Sequence, residues 1–235
     1  MREETAALLR ARTHELAGCA RGRERLYSAA HMASEDTKSA RTRERILDAA
    51  AHVLSRKGYA GTRLADVAEA AEVQAPAIYY YFESRDALIE EVMWVGAHRV
   101  RMHVEEVLAA LPAGTSPFEK ILEAVAAHLR YELHISDYTT ASIRNANQVP
   151  EQLRVRPAAE EATYSRLWRD LFAQAQAAGQ LRPGLDINVS RLLLLGSMNW
   201  AAEWWNPRMR SLADLVKATQ DFVRYGMGHP ALFAG

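Results

Sequence analysis

Apolar residues recur three and four positions apart along most of the chain, and no stretch alternates apolar with polar residues as a half-buried strand would. Between Thr42 and Lys57, the residues Ile46, Ala50, Val53 and Leu54, with Leu47 beside them, make one helical stripe, and Lys57-Gly58 supplies a stop. Thr62 reads as the N-cap of a second helix with Asp66 near its start and Leu64, Val67, Ala68 and Ala71 on one face. After a break at Glu72-Val73-Gln74, a short third helix runs from Ala75 to Tyr81, tolerates Pro76 in its first turn, and turns Ile78 and Phe82 inward together. Ser84 caps a long helix from Arg85 to Leu111, about 40 Å at a rise of ~1.5 Å per residue.

The second half is punctuated in the same way. Ser116-Pro117-Phe118-Glu119 is a capping box with proline at the first helical position, opening a helix that carries Ile121, Leu122, Val125, Leu129 and Leu133. Further helices are predicted over 137–146, 150–178, 188–205 and 211–227, with Gly179 and Arg182-Pro183-Gly184 separating the second from the third of these. In the third, Leu192, Leu193, Leu194, Leu195, Met198, Trp200, Trp204 and Trp205 surround the helix on more than one face, so it must be covered on several sides. The fold class is all-α. Residues 1–38, rich in Arg, Glu and Ala without a clear stripe, read as an N-terminal extension and a poorly ordered tail, with Met32 an alternative start.

Charge changes this picture little. With 29 Lys and Arg against 29 Asp and Glu, the net charge is zero, so any nucleic-acid contact depends on a local basic surface, for which Lys38, Arg41, Arg43 and Arg45 are candidates. Cys19 is the only cysteine, which excludes an intramolecular disulfide and a multi-cysteine metal site. The longest apolar block, Leu192 to Trp205, is short of the ~20 residues a bilayer requires, and the N-terminus lacks a signal-peptide core. These features describe a cytoplasmic protein with no membrane partner. An enzyme is disfavoured: His98 and His103, or His128 and His134, are not spaced to share a helix face, and no phosphate loop or nucleophile elbow occurs. No metal and no cofactor is expected.

Two short helices joined by a tight turn and packed on a preceding helix make a three-helix DNA-reading unit, with the outer side of the third carrying Gln74, Ala75, Pro76, Ala77, Tyr79 and Tyr80. The residues Gly58-Tyr59, Thr62, Val67-Ala68, Ala71-Glu72-Val73, Ile78 through Phe82 and Ser84 through Leu88 resemble the signature of the TetR family of transcriptional regulators. Four positions depart from it: Glu72 where the family often has the turn glycine, Gln74 for serine, Pro76 for glycine and Arg85 for lysine. Glutamate at 72 is expected to strain the backbone modestly, because glycine suits positive φ best.

The resemblance implies an N-terminal helix-turn-helix domain over 39–86 and a C-terminal ligand-binding and dimerisation domain over 87–235. It implies base contacts from Arg63, Gln74, Ala75, Pro76, Ala77 and Tyr79, and phosphate contacts from Thr62, Tyr80 or Tyr81, Arg85 and the starts of the second and fourth helices. Tyr79 and Tyr81 have a second reading as core aromatics, and Arg63 as a solvated charge. The implied partners are a double-stranded palindromic operator, a second copy of the chain through the last two helices, and a small effector. Candidates to line its pocket are Trp94, His98, Met102, Tyr131, His134, Tyr138, Arg144, Asn145, Trp168, Phe172, Met198, Asn199 and Trp204. The run from Gly196 to Pro207 resembles the family branch that senses acyl-CoA thioesters, for which Arg144, Arg154 or Arg156 would meet a phosphate. The expected function is a ligand-responsive repressor; the alternative is a helical interaction module that has lost DNA binding.

Overall fold

The computed structural model describes residues 37–134 and 137–233, the side chain of His134 excepted, so most of the expected N-terminal tail lies outside the described residues. The chain divides into two compact units at Arg45 and Ile46. In the first, residues 37–45 are helical and the Thr42 hydroxyl donates to the Lys38 carbonyl over 3.0 Å.

From Ile46 onward the elements are α1 (46–61), α2 (Leu64–Ala70), α3 (Ala75–Tyr81), α4 (Arg85–Ala109), α5 (Pro117–His134), α6 (Asp137–Asn145), α7 (Val155–Ala177), α8 (Ile187–Trp204) and α9 (Leu212–Met227). Among the described residues the only β feature is an isolated antiparallel bridge between Leu181 and Gly228. The caps follow the sequence closely. Ser84 accepts from Ala87 N–H, and Ser116 accepts from Glu119 N–H over 3.2 Å. The return half of that capping box is displaced: the Glu119 carboxylate lies 3.5 Å from Arg224.

Three local readings need correction. Thr62 is not the N-cap of α2; that position is Arg63, without a side-chain cap, and the Thr62 hydroxyl donates back to Gly58 O over 2.8 Å. The helical pattern of α1 continues to residue 61, past Gly58, although Gly58 does take the left-handed φ of 69° expected of a stop. The helix predicted from 150 opens as a 3-10 turn, Glu151–Arg154, before α7, whose third residue Pro157 has no N–H to give an earlier turn. Glu72 has φ 54° and is the one non-glycine with positive φ among the described residues, as the missing turn glycine predicted.

Two apolar cores form. The first joins α1, α2 and α3 to Leu88, Ile89, Val92, Met93 and Val95 of α4 and to Tyr138 and Ala141 of α6. The second joins Val100 and Val104 of α4 to α5, α7, α8 and α9. The changeover falls inside α4, not at its start, because α6 packs onto the first half of that helix. Gly96 sits at the changeover. A Cβ there would come within 2.7 Å of both Tyr138 O and Ser142 Oγ, so α4 and α6 meet almost backbone to backbone.

Polar contacts tie α6 to α1. The fully buried Asn145 accepts Tyr59 N–H over 2.7 Å and donates to Leu54 O and Ala141 O. The Tyr138 hydroxyl donates to Asp48 over 2.8 Å, and His52 Nδ1 is 2.9 Å from Asp137. Arg144 donates to Ser55 O and, from 2.5 Å, to Glu203 at the end of α8.

Candidate nucleic-acid interface and effector core

α3 is anchored by Ile78, fully buried, and by Phe82, which caps its end, while Val67, Ala68 and Ala71 provide the surface it rests on. The outward side is open: Tyr79 is 59% and Tyr80 80% exposed, and Gln74 and Pro76 are exposed at the N-terminal end. Gln74 occupies the N-cap position without bonding a backbone N–H, so its amide is not committed to the helix. Ala75 and Ala77 are half-buried, Ala75 against the first core. Tyr81 is half-buried against the same core with its ring edge-on to Tyr80 at 4.9 Å, so the core reading suits Tyr81 and not Tyr79. Arg63 is exposed at the head of α2.

Two expected phosphate contacts have other employment. Thr62 is 2% exposed and holds the turn between α1 and α2. Arg85 donates through Nε to Thr62 O over 2.7 Å, through Nη1 to Asp86 and through Nη2 to Tyr59 O, with its guanidinium 4.4 Å from the Tyr59 ring centre. Its donors satisfy carbonyls that the end of α1 leaves free, a positioning task. Lysine, with a point charge and no fork, would not reach all three at once.

The effector candidates do not converge on one pocket. Trp94 stacks on His98, with centroids 4.6 Å apart, and lies under Arg156, which also pairs with Glu91. His98 and Arg101 both reach Glu160, at 3.2 and 2.6 Å, making a polar strip between α4 and α7. Burial works to raise the Glu160 carboxyl, but hydrogen bonds from Arg101 and His98 prevail and hold it below the usual carboxylate value. Met102 and Asn199 are half-buried, and Tyr131 is half-buried with its ring 5.2 Å from His103. Tyr138 and Arg144 belong to the α6–α1 contacts. Met198 and Trp204 line an apolar cavity of about 310 Å³ with Leu129 of α5 and Leu215 and Phe222 of α9. Trp168 and Phe172 are fully buried, and His134 lies outside the described side chains.

A second cavity, of about 500 Å³, lies between α4 and the start of α7, walled by Met93, Ala146, Asn147 and Pro157, with Arg154, Glu151 and Glu161 also lining it. Of the three arginines named for a phosphate, Arg144 and Arg156 are paired with glutamates and Arg154 has no ion pair among the described residues. The sequence named His128 only as half of a histidine pair with the wrong spacing for a metal, and left Glu132 of α5 and Tyr164 of α7 unnamed. All three are buried. Their signal was present as a His and a Glu four apart, which share a helix face.

α8 is buried along Ser190, Arg191, Leu194, Met198 and Ala201 only. Its other side leaves Leu192, Leu193, Trp200 and Trp204 more than half exposed, and α9 adds Phe222 and Tyr225. No helix among the described residues is long and apolar enough to cross a membrane, and none of the described His, Cys, Asp and Glu side chains gather in threes around a metal position.

A helix-turn-helix with an open third helix, carried on a long fourth helix into an all-helical second core, defines a DNA-binding transcriptional regulator. A model of the bacterial regulatory proteins of the TetR family matches residues 46–92, and one of the tetracyclin repressor-like C-terminal domain matches residues 114–225. The chain belongs to the TetR family. The HTH-type transcriptional repressor KstR2 of Mycolicibacterium smegmatis is 23% identical over 184 residues, covering 73% of this chain and 84% of that protein. Among solved structures, AibR in complex with isovaleryl coenzyme A and operator DNA aligns at a TM-score of 0.70 and 19% identity, over 77% of this chain and 97% of that one. FadR from Bacillus subtilis in complex with stearoyl-CoA aligns at 0.64 and 18%, over 77% and 96%. At these identities the structural likeness establishes the fold.

Proposed function

We propose that the protein is a cytoplasmic, homodimeric repressor that binds a palindromic operator through α3 and releases it when an apolar or acyl-CoA-type effector enters the helices from α4 to α8. The observation that carries this reading is the outward face of α3: large aromatic and polar side chains held exposed on a helix whose inner side is anchored by Ile78 and Phe82. Gln74, Pro76, Tyr79 and Arg63 would read base edges, and Tyr80 would reach a phosphate. Thr62, Tyr81 and Arg85 would set the pose of α2 and α3.

The dimer reading is supported by the uncovered apolar side of α8 and α9, where Gly196 and Gly226 meet no atom within 4 Å of an added Cβ and so permit close helix approach. A dimer formed through two such faces would read a palindrome if its recognition helices stood about one DNA turn, 34–36 Å, apart. The effector reading is supported by the coenzyme A ligands of AibR and FadR. Arg154, which lines the cavity beside the start of α7, is the one of the three arginines left for a phosphate.

The test is selection of duplexes from random DNA, followed by native mass spectrometry with and without isovaleryl-CoA or stearoyl-CoA. Two protein copies on a palindrome, weakened by salt and released by a thioester, is the expected result. A monomer that selects no sequence at low salt overturns it.

A further inference from the structure

The last residue of α6 grips the end of α1, just ahead of the helices that read DNA. Asn145 is fully buried. Its side-chain oxygen accepts Tyr59 N–H over 2.7 Å, and its amide nitrogen donates to Leu54 O over 3.3 Å and to Ala141 O over 2.8 Å. Arg144 beside it donates to Ser55 O over 3.0 Å. Gly58 lies between these anchor points, where an added Cβ would come within 3.2 Å of Gln148 Oε1 and 3.6 Å of Asn145 Oδ1. Tyr59 is held from its other side by α4. Its carbonyl accepts from Arg85 Nη2, its hydroxyl donates to Asp86 over 3.1 Å, and its ring faces the Arg85 guanidinium. Three residues on, Thr62 O accepts from Arg85 Nε, and α2 begins two residues later. Tyr59 is thus the point where α6 and α4 together set the pose of α2 and α3.

Asn145 is also the base of a turn. Its main-chain carbonyl accepts Gln148 N–H over 2.9 Å and Val149 N–H over 3.2 Å. The tip of that turn, Ala146 and Asn147, lines the cavity of about 500 Å³ together with Pro157 and Ala158 of α7. Upstream, Ser142 donates to Met93 O over 3.1 Å, and Gly96 leaves no room between α4 and α6. The body of α6 is therefore pinned, and its end is the part that a filled cavity would displace. A buried amide bonded to the main chain of two helices transmits such a displacement, because neither partner can move without breaking a satisfied contact.

We propose that Asn145 is a positioning residue for DNA reading, coupling occupation of this cavity to the pose of α2 and α3 through the Tyr59 amide. The inference rests on the reading that α3 binds the operator and that an effector enters the helices from α4 to α8. Ala158→Trp is the probe, since it fills the cavity from α7 and alters no residue of the clamp. By anisotropy on the selected operator, Ala158→Trp and Asn145→Ala should each weaken binding at least about 5-fold at a temperature where circular dichroism shows full helicity. The double variant should bind no more weakly than Asn145→Ala alone, because a broken clamp has nothing left to transmit. Asn145→Ser, too short to reach both Tyr59 and Leu54, replaces Asn145→Ala if the latter is unfolded. A lower melting temperature with unchanged operator affinity makes Asn145 purely structural and overturns the inference, as do additive effects in the double variant. The Tyr59 amide gives a readout that needs no DNA: in Ala158→Trp its hydrogen exchange, followed by NMR, should lose protection, and retained protection overturns the inference. A parent chain that selects no duplex removes the operator reading instead, and the amide exchange then decides whether cavity and clamp are coupled.

Discussion

The two cores differ in how much of their buried polarity they satisfy. Around the first, Thr62, Ser55 and Asn145 are buried and each is bonded to a named backbone or side-chain partner, while the buried Thr139 hydroxyl of α6 has none. In the second, Glu132 Oε1 and Arg191 Nε are buried without hydrogen bonds. A surface that reads DNA has to present the same geometry each time, and satisfied polar contacts fix a geometry. The contrast is one of degree, with more of the buried polar groups bonded around the first core than in the second.

The contact between α4 and α6 is the sharpest place to break that contrast. Gly96→Leu should cost about 3 kcal/mol or more, read as a shift in urea midpoint, because backbone and not a flexible side chain stands in the way. A smaller loss would mean that the DNA-side core yields as readily as the other. Next in size, Tyr79→Ala should weaken operator binding by about 1–3 kcal/mol, while Tyr81→Ala should show its effect first in thermal stability; anisotropy and melting curves separate the two. Glu72→Gly should stabilise the fold by about 1 kcal/mol, since the left-handed φ of 54° suits glycine. No gain there would leave the turn as relaxed as any other.

The smallest expected effect lies in the polar strip. Because the folded Glu160 carboxyl is held below its ordinary value, its contribution is present in full above the unfolded pKa of about 4.3 and is lost as pH falls through the lower folded value. Glu160→Gln should therefore be less stable than the parent at pH 7, with the gap closing below about pH 4. A gap independent of pH would show that geometry alone, and not charge, makes the contact.

The elements that sequence predicted well are those whose signals are local. Ser84 and Ser116 announce helix starts through bonds three residues away, and the absent glycine at 72 announces its own strained turn. The outward face of α3 was legible because seven residues sort into two sides. Thr62 was misplaced by one residue because a threonine bonded backward to Gly58 looks, in one dimension, like a threonine bonded forward. The effector residues were the least legible. The two cavities draw their walls from separate elements, α4 with the start of α7 in one and α5, α8 and α9 in the other, so no spacing along the chain announces them. Trp94 and His98 resemble pocket walls until Arg156 and Glu160 of α7 are seen to cover them. The His and Glu on α5 look like an ordinary surface pair until α7 closes over them.

The close approach at Gly96 also sets a mechanical ratio. It lies 11 residues from Arg85, an arm of about 16 Å at a rise of ~1.5 Å per residue. A tilt of about 5° around that fulcrum would carry the bolted end of α4 sideways by about 1.4 Å. Arg85 grips the carbonyls of both Tyr59 and Thr62, so the displacement would pass to the reading head as a swing and not be lost as slack.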